Sequence, residues 1–194
     1  MPLRSEPGRW STIAKTLHWV MALLIIGNGV FALWMDDLKP SMQKINLFAL
    51  HKSIGLTVLA LFLLRLAWRL FDRRPAEDPA PRWQHVAANI VHGLLYVLIV
   101  AIPLSGWLFN SARGFPLQYF KLFNLPALTA KDPDVAAVLV EVHEYLFWFL
   151  VAVLVAHAGG ALKHHFIDRD DTLRRMLPFG RARRHLPPSP GDKP

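Results

Sequence analysis

The sequence predicts an all-α protein, a four-helix transmembrane bundle. Three observations carry that expectation. Four apolar stretches each reach the roughly 20 residues that a membrane-spanning helix requires. Hydrophobic residues make up 53% of the 194 positions and mean hydropathy is positive, which is greasier than an ordinary soluble domain. The cationic residues gather at the two termini and in one loop, as the flanks of a membrane bundle do.

The first span, 16–35, is free of charge. The second, 47–71, carries Lys52 near its start and Arg65 and Arg69 near its end. The third, 83–112, contains Pro103, where a kink is expected. The fourth is 138–163. Trp10, Trp19, Trp34, Trp68, Trp83 and Tyr145 flank these stretches as an interfacial aromatic belt would. The loop 110–137 is the longest on its side, and Phe115, Tyr119 and Phe120 suit a short interfacial helix there. Residues 1–178 read as one four-span domain. Residues 179–194 read as a basic, proline-rich tail, disordered from 186 onward.

Charge orients the bundle. Arg4, Arg9 and Lys15 precede span one, and Arg69, Arg73, Arg74 and Arg82 surround the loop after span two. Lys163, Arg169, Arg174, Arg175, Arg181, Arg183 and Arg184 follow span four. The other two loops are poorer in cations, so both termini are expected inside, in the cytoplasm of a bacterium with a multi-pass inner-membrane protein. The net charge of +8 therefore reads as topology. No basic helix or aromatic–basic sheet pattern accompanies it, which argues against a nucleic-acid partner. The absence of cysteine excludes covalent c-type haem, thiolate-bound iron–sulfur clusters and disulfides. The first apolar run is too long for a signal-peptide core, and no small-residue cleavage site follows it.

Four of the nine histidines, in spans one, two and four, sort into two depths. His143 and His157 are fourteen residues apart, close to four helical turns, so both imidazoles share a face within about 40°. The rise between them is roughly 21 Å, most of a hydrocarbon core. His18 enters with span one near the inner surface, and His51 enters with span two near the outer one. The depths pair His18 with His157 and His51 with His143. Two imidazoles saturate a haem iron, which suits electron transfer rather than oxygen binding. Two such pairs at two depths would clamp two stacked b haems. A zinc or copper site fits less well, because no carboxylate or thiolate completes either pair.

Other residues fit a porphyrin or ordinary helix packing equally. Gly55 shares a helix face with His51, and Gly159 and Gly160 follow His157, where a missing side chain admits either a flat macrocycle or a neighbouring helix. Arg65 is suited to a haem propionate or to snorkelling, and Arg69 to snorkelling. His92 has no depth-matched partner and reads as packing, ahead of a hydrogen-bond donor or a quinone contact. His164 and His165 end span four at the inner surface, either as polar interfacial residues or as proton acceptors.

These residues carry a resemblance. AKTLHWVMALL (14–24), LHKSIG (50–55), RLAWRL (65–70), EVHEYL (141–146) and HAGGALKHHFIDRDDTLRRMLP (157–178) resemble the bacterial cytochrome b561 family of four-helix di-haem b cytochromes. The likeness spans 10–178. The family's ligand pattern matches His18, His51, His143 and His157, and the segment 163–178 resembles its stand-alone members. The resemblance implies a membrane oxidoreductase that takes an electron from superoxide, or another outer-face donor, and passes it through two haems to ubiquinone. An anion donor calls for cationic steering. Lys52 and Arg113 lead the candidates, with Lys39, Lys44, Lys121 and Lys131 in the same loops. A quinone pocket is expected near His18, His157 and His164. The alternative within the superfamily is a cytochrome b subunit that anchors a dehydrogenase or hydrogenase and relays its electrons.

Overall fold

The computed structural model describes residues 4–6, 9–72 and 80–180. Arg73, Arg74, Arg181, Arg183, Arg184 and the proline-rich segment 186–194 lie outside the described residues. In order, the elements are α1 (Thr12–Asp36), α2 (Met42–Phe71), α3 (Arg82–Ala112), β1 (Leu117–Tyr119), β2 (Phe123–Leu125), α4 (Pro133–Lys163), a π-helical turn (His164–Asp168) and α5 (Thr172–Met176). Four helices, including α4 with its π turn, are long and apolar enough to cross a membrane.

α1, α2 and α4 start about a turn before their apolar runs, because polar caps rather than hydropathy set the start. Ser11 Oγ accepts the Ala14 N–H, and Ser41 Oγ accepts the Lys44 N–H. Asp132 accepts from Asp134 and Val135, with Pro133 in the first turn, where its missing N–H costs nothing. Pro103 sits inside α3 without ending it.

α1 packs on α2 and α3 on α4, and α2 with α3 joins the two hairpins. Leu95 and Leu98 of α3 bury against Leu150 and Val153 of α4. Met21 of α1 buries against Val58 and Phe62 of α2, and Ile25 touches both groups. Large apolar residues elsewhere face outward, among them Leu23 at 70% exposure and Val155 at 68%. Such a surface suits lipid, where helices satisfy their own backbone groups.

The two ends of the bundle differ. At one end Asp72 accepts from the Ser5 N–H, the Ser5 hydroxyl and the Ser11 hydroxyl, each at 2.7 Å. Burial pushes the Asp72 carboxyl up, but these bonds and one from Trp68 outweigh it and hold the group below the ordinary carboxylate value. Lys15 donates to the carbonyls of Leu177 and Gly180, and Trp19 donates to that of Met176. The N-terminal segment, the end of α2 and α5 therefore meet at one face.

The opposite end corrects the interfacial helix expected in 110–137. That loop holds an antiparallel β-hairpin, Leu117 opposite Leu125 and Tyr119 opposite Phe123. Its turn places Phe120 (φ 45°) and Lys121 (φ 62°) in the left-handed region and is closed by Leu122 N–H to Tyr119 O. α2 fixes the hairpin: Ser53 Oγ accepts the Phe120 N–H, and the Thr57 and Tyr119 hydroxyls lie 3.1 Å apart.

Candidate functional site

Two imidazole pairs span the space between the hairpins. His18 of α1 and His157 of α4 have ring centres 6.2 Å apart, with planes inclined at 63°. His51 of α2 and His143 of α4 are 6.4 Å apart, at 82°. Two imidazoles on opposite sides of one metal ion, each bonded at about 2 Å, hold their ring centres roughly 6 Å apart. Both pairs match that span. Along α4 the pairs are about 21 Å apart. The His18 level lies at the end where Ser5, Asp72 and the segment 176–180 meet, and the His51 level lies at the end of the β-hairpin.

Hydrogen bonding sets the tautomer of His143. Ser105 Oγ is 2.9 Å from the Ile102 carbonyl and 2.9 Å from His143 Nδ1. A hydroxyl has one proton and a carbonyl only accepts, so that proton goes to Ile102 and His143 Nδ1–H donates to Ser105. Nε2 is left with its lone pair, as a metal ligand requires. Gly106 gives the ring its room: a Cβ there would stand 3.1 Å from His143 Cε1. His51 Nδ1 is buried with no hydrogen-bond partner among the described residues.

A Cβ on Gly55, one turn after His51, would meet only Asn28 Nδ2 at 3.9 Å, and one on Gly27, Gly93, Gly159 or Gly160 would meet nothing within 4 Å. The ring separations fit a flat macrocycle gripped from both faces. One contact must change for such a group to bind. Arg65 Nη1 lies 2.9 Å from His18 Nδ1. A guanidinium only donates, so His18 Nδ1 accepts there and Nε2 carries the proton. That contact and an Nε2–metal bond at His18 exclude each other.

Two groups that the sequence left as bland lie at the inner pair. His92 of α3 has its ring 5.3 Å from that of His157, in an edge-on arrangement. The antiparallel register of α3 and α4 was the signal that could have found it: Ser105 meets His143, and thirteen residues back His92 meets His157. Arg69 does not snorkel outward. Its guanidinium contacts the Tyr96 hydroxyl and lies 5.6 Å from that ring.

The outer-loop cations do not converge. Lys52, half-buried beside His51, donates to Asn110 Oδ1 at 2.9 Å. Arg113 is exposed and rests over Phe109, Lys44 caps the end of α1, and Lys121 reaches Asn46. Lys131 packs on Gly114. At the inner end, His164 turns to Asp170 at 2.6 Å and Asp168 at 3.2 Å, and Lys163 also pairs with Asp168. Burial pushes the Asp170 carboxyl up, but bonds from Thr172 and His164 outweigh it and hold it below its ordinary value. A cavity of about 230 Å³ opens at this end between α1 and the segment after α5, lined by Thr12, Lys15, Thr16, Trp19, Pro178 and Phe179; the expected pocket residues His18, His157 and His164 do not line it.

Comparison with known proteins agrees with this architecture. Residues 9–179 match the family model described as prokaryotic cytochrome b561. Cytochrome b561 homolog 2 of Escherichia coli K12 is 36% identical over 181 residues, covering 91% of this chain and 95% of the relative. Cytochrome b561 homolog 1 of the same organism is 31% identical, covering 88% and 97%. A probable superoxide oxidase CybB of Yersinia pestis is 28% identical, covering 90% and 98%.

Proposed function

The chain belongs to the prokaryotic cytochrome b561 family of haem b membrane electron carriers, and we propose that it holds two b haems, one between His18 and His157 and one between His51 and His143, to carry electrons from superoxide outside to ubiquinone. The observation that carries this reading is the pair of cross-bundle imidazole separations, 6.2 and 6.4 Å, at two depths. When bound, haem iron supplies one-electron chemistry by alternating between ferrous and ferric states. His18 with His157 and His51 with His143 would hold the two groups, and two imidazoles at each would suit electron transfer rather than oxygen binding.

The remaining residues serve that arrangement. Ser105 keeps His143 in the ligating tautomer. Arg65 would have to release His18 Nδ1 for Nε2 to hold a metal, and its guanidinium, beside Arg69 and Tyr96, would then be free for a propionate carboxylate. Lys52 puts a cation beside His51, at the level where an anionic donor arrives, and Arg113 adds a second, more exposed charge in the same loops. The cavity between Thr16, Trp19 and Phe179 opens at the same end of α1 as His18 and is our candidate for a quinone ring. The cationic flanks put both termini in the cytoplasm of an inner membrane. Residues 1–178 form the di-haem unit and 179–194 the basic tail.

A dithionite-minus-oxidised spectrum with a pyridine haemochrome count comes first, then haem reduction by a superoxide-generating system with ubiquinone as acceptor. Two b haems per chain and superoxide-dependent quinol formation are expected. Haems that superoxide leaves oxidised, in a protein that copurifies with a large dehydrogenase, would replace the reading with the relay-subunit alternative.

A further inference from the structure

α3 supplies none of the four proposed ligands, yet it touches both α4 ligands at matched heights. At the outer level Ser105 accepts the proton of His143 Nδ1 at 2.9 Å, and Gly106 lies flush against the same ring. At the inner level His92 meets the edge of His157, with ring centres 5.3 Å apart and planes at 65°. α3 and α4 form the most extensively packed helix pair, so these contacts are held by the apolar seam of Leu95, Leu98, Leu150 and Val153 between them. The other two ligands, His18 and His51, come from the opposite hairpin.

We infer that α3 is the ligand-orienting helix of the bundle, with Ser105 and His92 as positioning residues that set the ring planes of His143 and His157. The inference rests on the bis-histidine haem reading. Groups behind a metal-bound imidazole fix its orientation and its basicity. An acceptor on Nδ1–H makes the imidazole more electron-rich and favours ferric iron. Ser105 therefore lowers the potential of the outer haem. An edge-on ring restricts rotation of His157 about its own axis, so His92 sets the angle between the two axial planes of the inner haem. That angle governs the position of the low-spin ferric EPR signal.

The test uses the full-length, haem-loaded chain in detergent, with haem count, ferric EPR and redox titration of each haem. Ser105→Ala is expected to shift the outer-haem signal, raise that haem's potential and weaken its retention by about 10- to 100-fold. Ser105→Thr keeps the hydroxyl and should restore all three. His92→Ala is expected to shift the inner-haem signal alone, and His92→Phe, which keeps a ring edge against His157, to bring it back. Unchanged signals and potentials in Ser105→Ala and His92→Ala would overturn the inference, as would each change appearing at the other haem. If His92→Ala loses the inner haem, His92→Phe decides. A retained inner haem supports positioning, and its loss makes His92 a ligand and overturns it. A wild-type chain without haem, or a His157→Ala chain that keeps two, would instead overturn the underlying reading.

Discussion

Gly106→Ala separates the haem site from the bundle that holds it. The added Cβ would stand 3.1 Å from His143 Cε1 and 3.4 Å from Nδ1. Carbon contacts are comfortable at about 3.5–4.0 Å, so the ring must yield by roughly half an ångström. It has little freedom to do so, because Ser105 holds Nδ1 at 2.9 Å. Overpacking of this kind costs about 1–3 kcal/mol. Alanine in place of glycine inside a helix returns about 1 kcal/mol. The return accrues to α3 whether or not haem is bound, whereas the clash is relieved, at the cost of the Ser105 bond, by turning the ring away when nothing holds Nε2, and is not relieved when iron does. Global stability should therefore change little, while the outer haem binds about 5- to 150-fold more weakly, the factor that 1–3 kcal/mol represents. The assay is withdrawal of haem to a soluble haem-binding protein, followed optically, with a thermal melt alongside. The inner haem serves as the internal reference in the same molecule. Wild-type withdrawal of both haems, or selective loss of the inner one, would refute the placement of His143 against Gly106.

His18→Ala and His157→Ala should each remove the inner haem and leave the outer, and His51→Ala and His143→Ala the reverse, so the haemochrome count falls from two to one in all four. Lys52→Gln should slow haem reduction by superoxide by about tenfold and flatten its dependence on ionic strength, since one steering charge beside His51 is lost; stopped-flow absorbance at two salt concentrations reads both. Asp72→Asn should cost about 1–2 kcal/mol of stability, because donors at 2.7 Å lose a charged acceptor that solvent partly screens. The folded Asp72 carboxyl lies below its ordinary value, so its contribution is complete above the unfolded pKa and is lost as pH falls through the folded one. Thermal melts from pH 7 downward should show wild type losing that increment below about pH 4, and Asp72→Asn should lack it.

What was legible in the sequence is what one helix determines by itself. Span length is a count of apolar residues, and the heights of His143 and His157 follow from a fixed rise per residue. Their cross-bundle partners follow once the direction of each span is known. The features that escaped depend on two chains of residues at once. His92 looked surplus because His18 already matched His157 in depth, and only the register between α3 and α4 shows that a third imidazole reaches the same ring. Arg69 looked like a snorkelling cation because Tyr96 lies on another helix. The hairpin escaped for a different reason. Residues 117–125 are mostly apolar, and the turn carries Phe120 and Lys121 where left-handed backbone ordinarily selects glycine or asparagine. Bonds from Ser53 and Thr57 of α2 hold that turn in place, and they are tertiary.

The same layering separates the two histidine levels. Along α4 the order is His143, then Leu150 and Val153, then His157; along α3 it is Ser105, then Leu98 and Leu95, then His92. On the other hairpin, Met21, Val58 and Phe62 occupy the interval between the levels of His51 and His18. Polar side chains thus occupy two levels, and buried aliphatic and aromatic groups fill the space between them. A charged or hydrogen-bonding group placed in that middle layer would lack a partner, and burying one unpaired costs several kcal/mol. The apolar seam therefore does two things at once. It supplies the burial that locks α3 against α4, and so fixes the ligand-orienting contacts. In the proposed di-haem arrangement it would also be the apolar interval that an electron crosses between the two histidine levels.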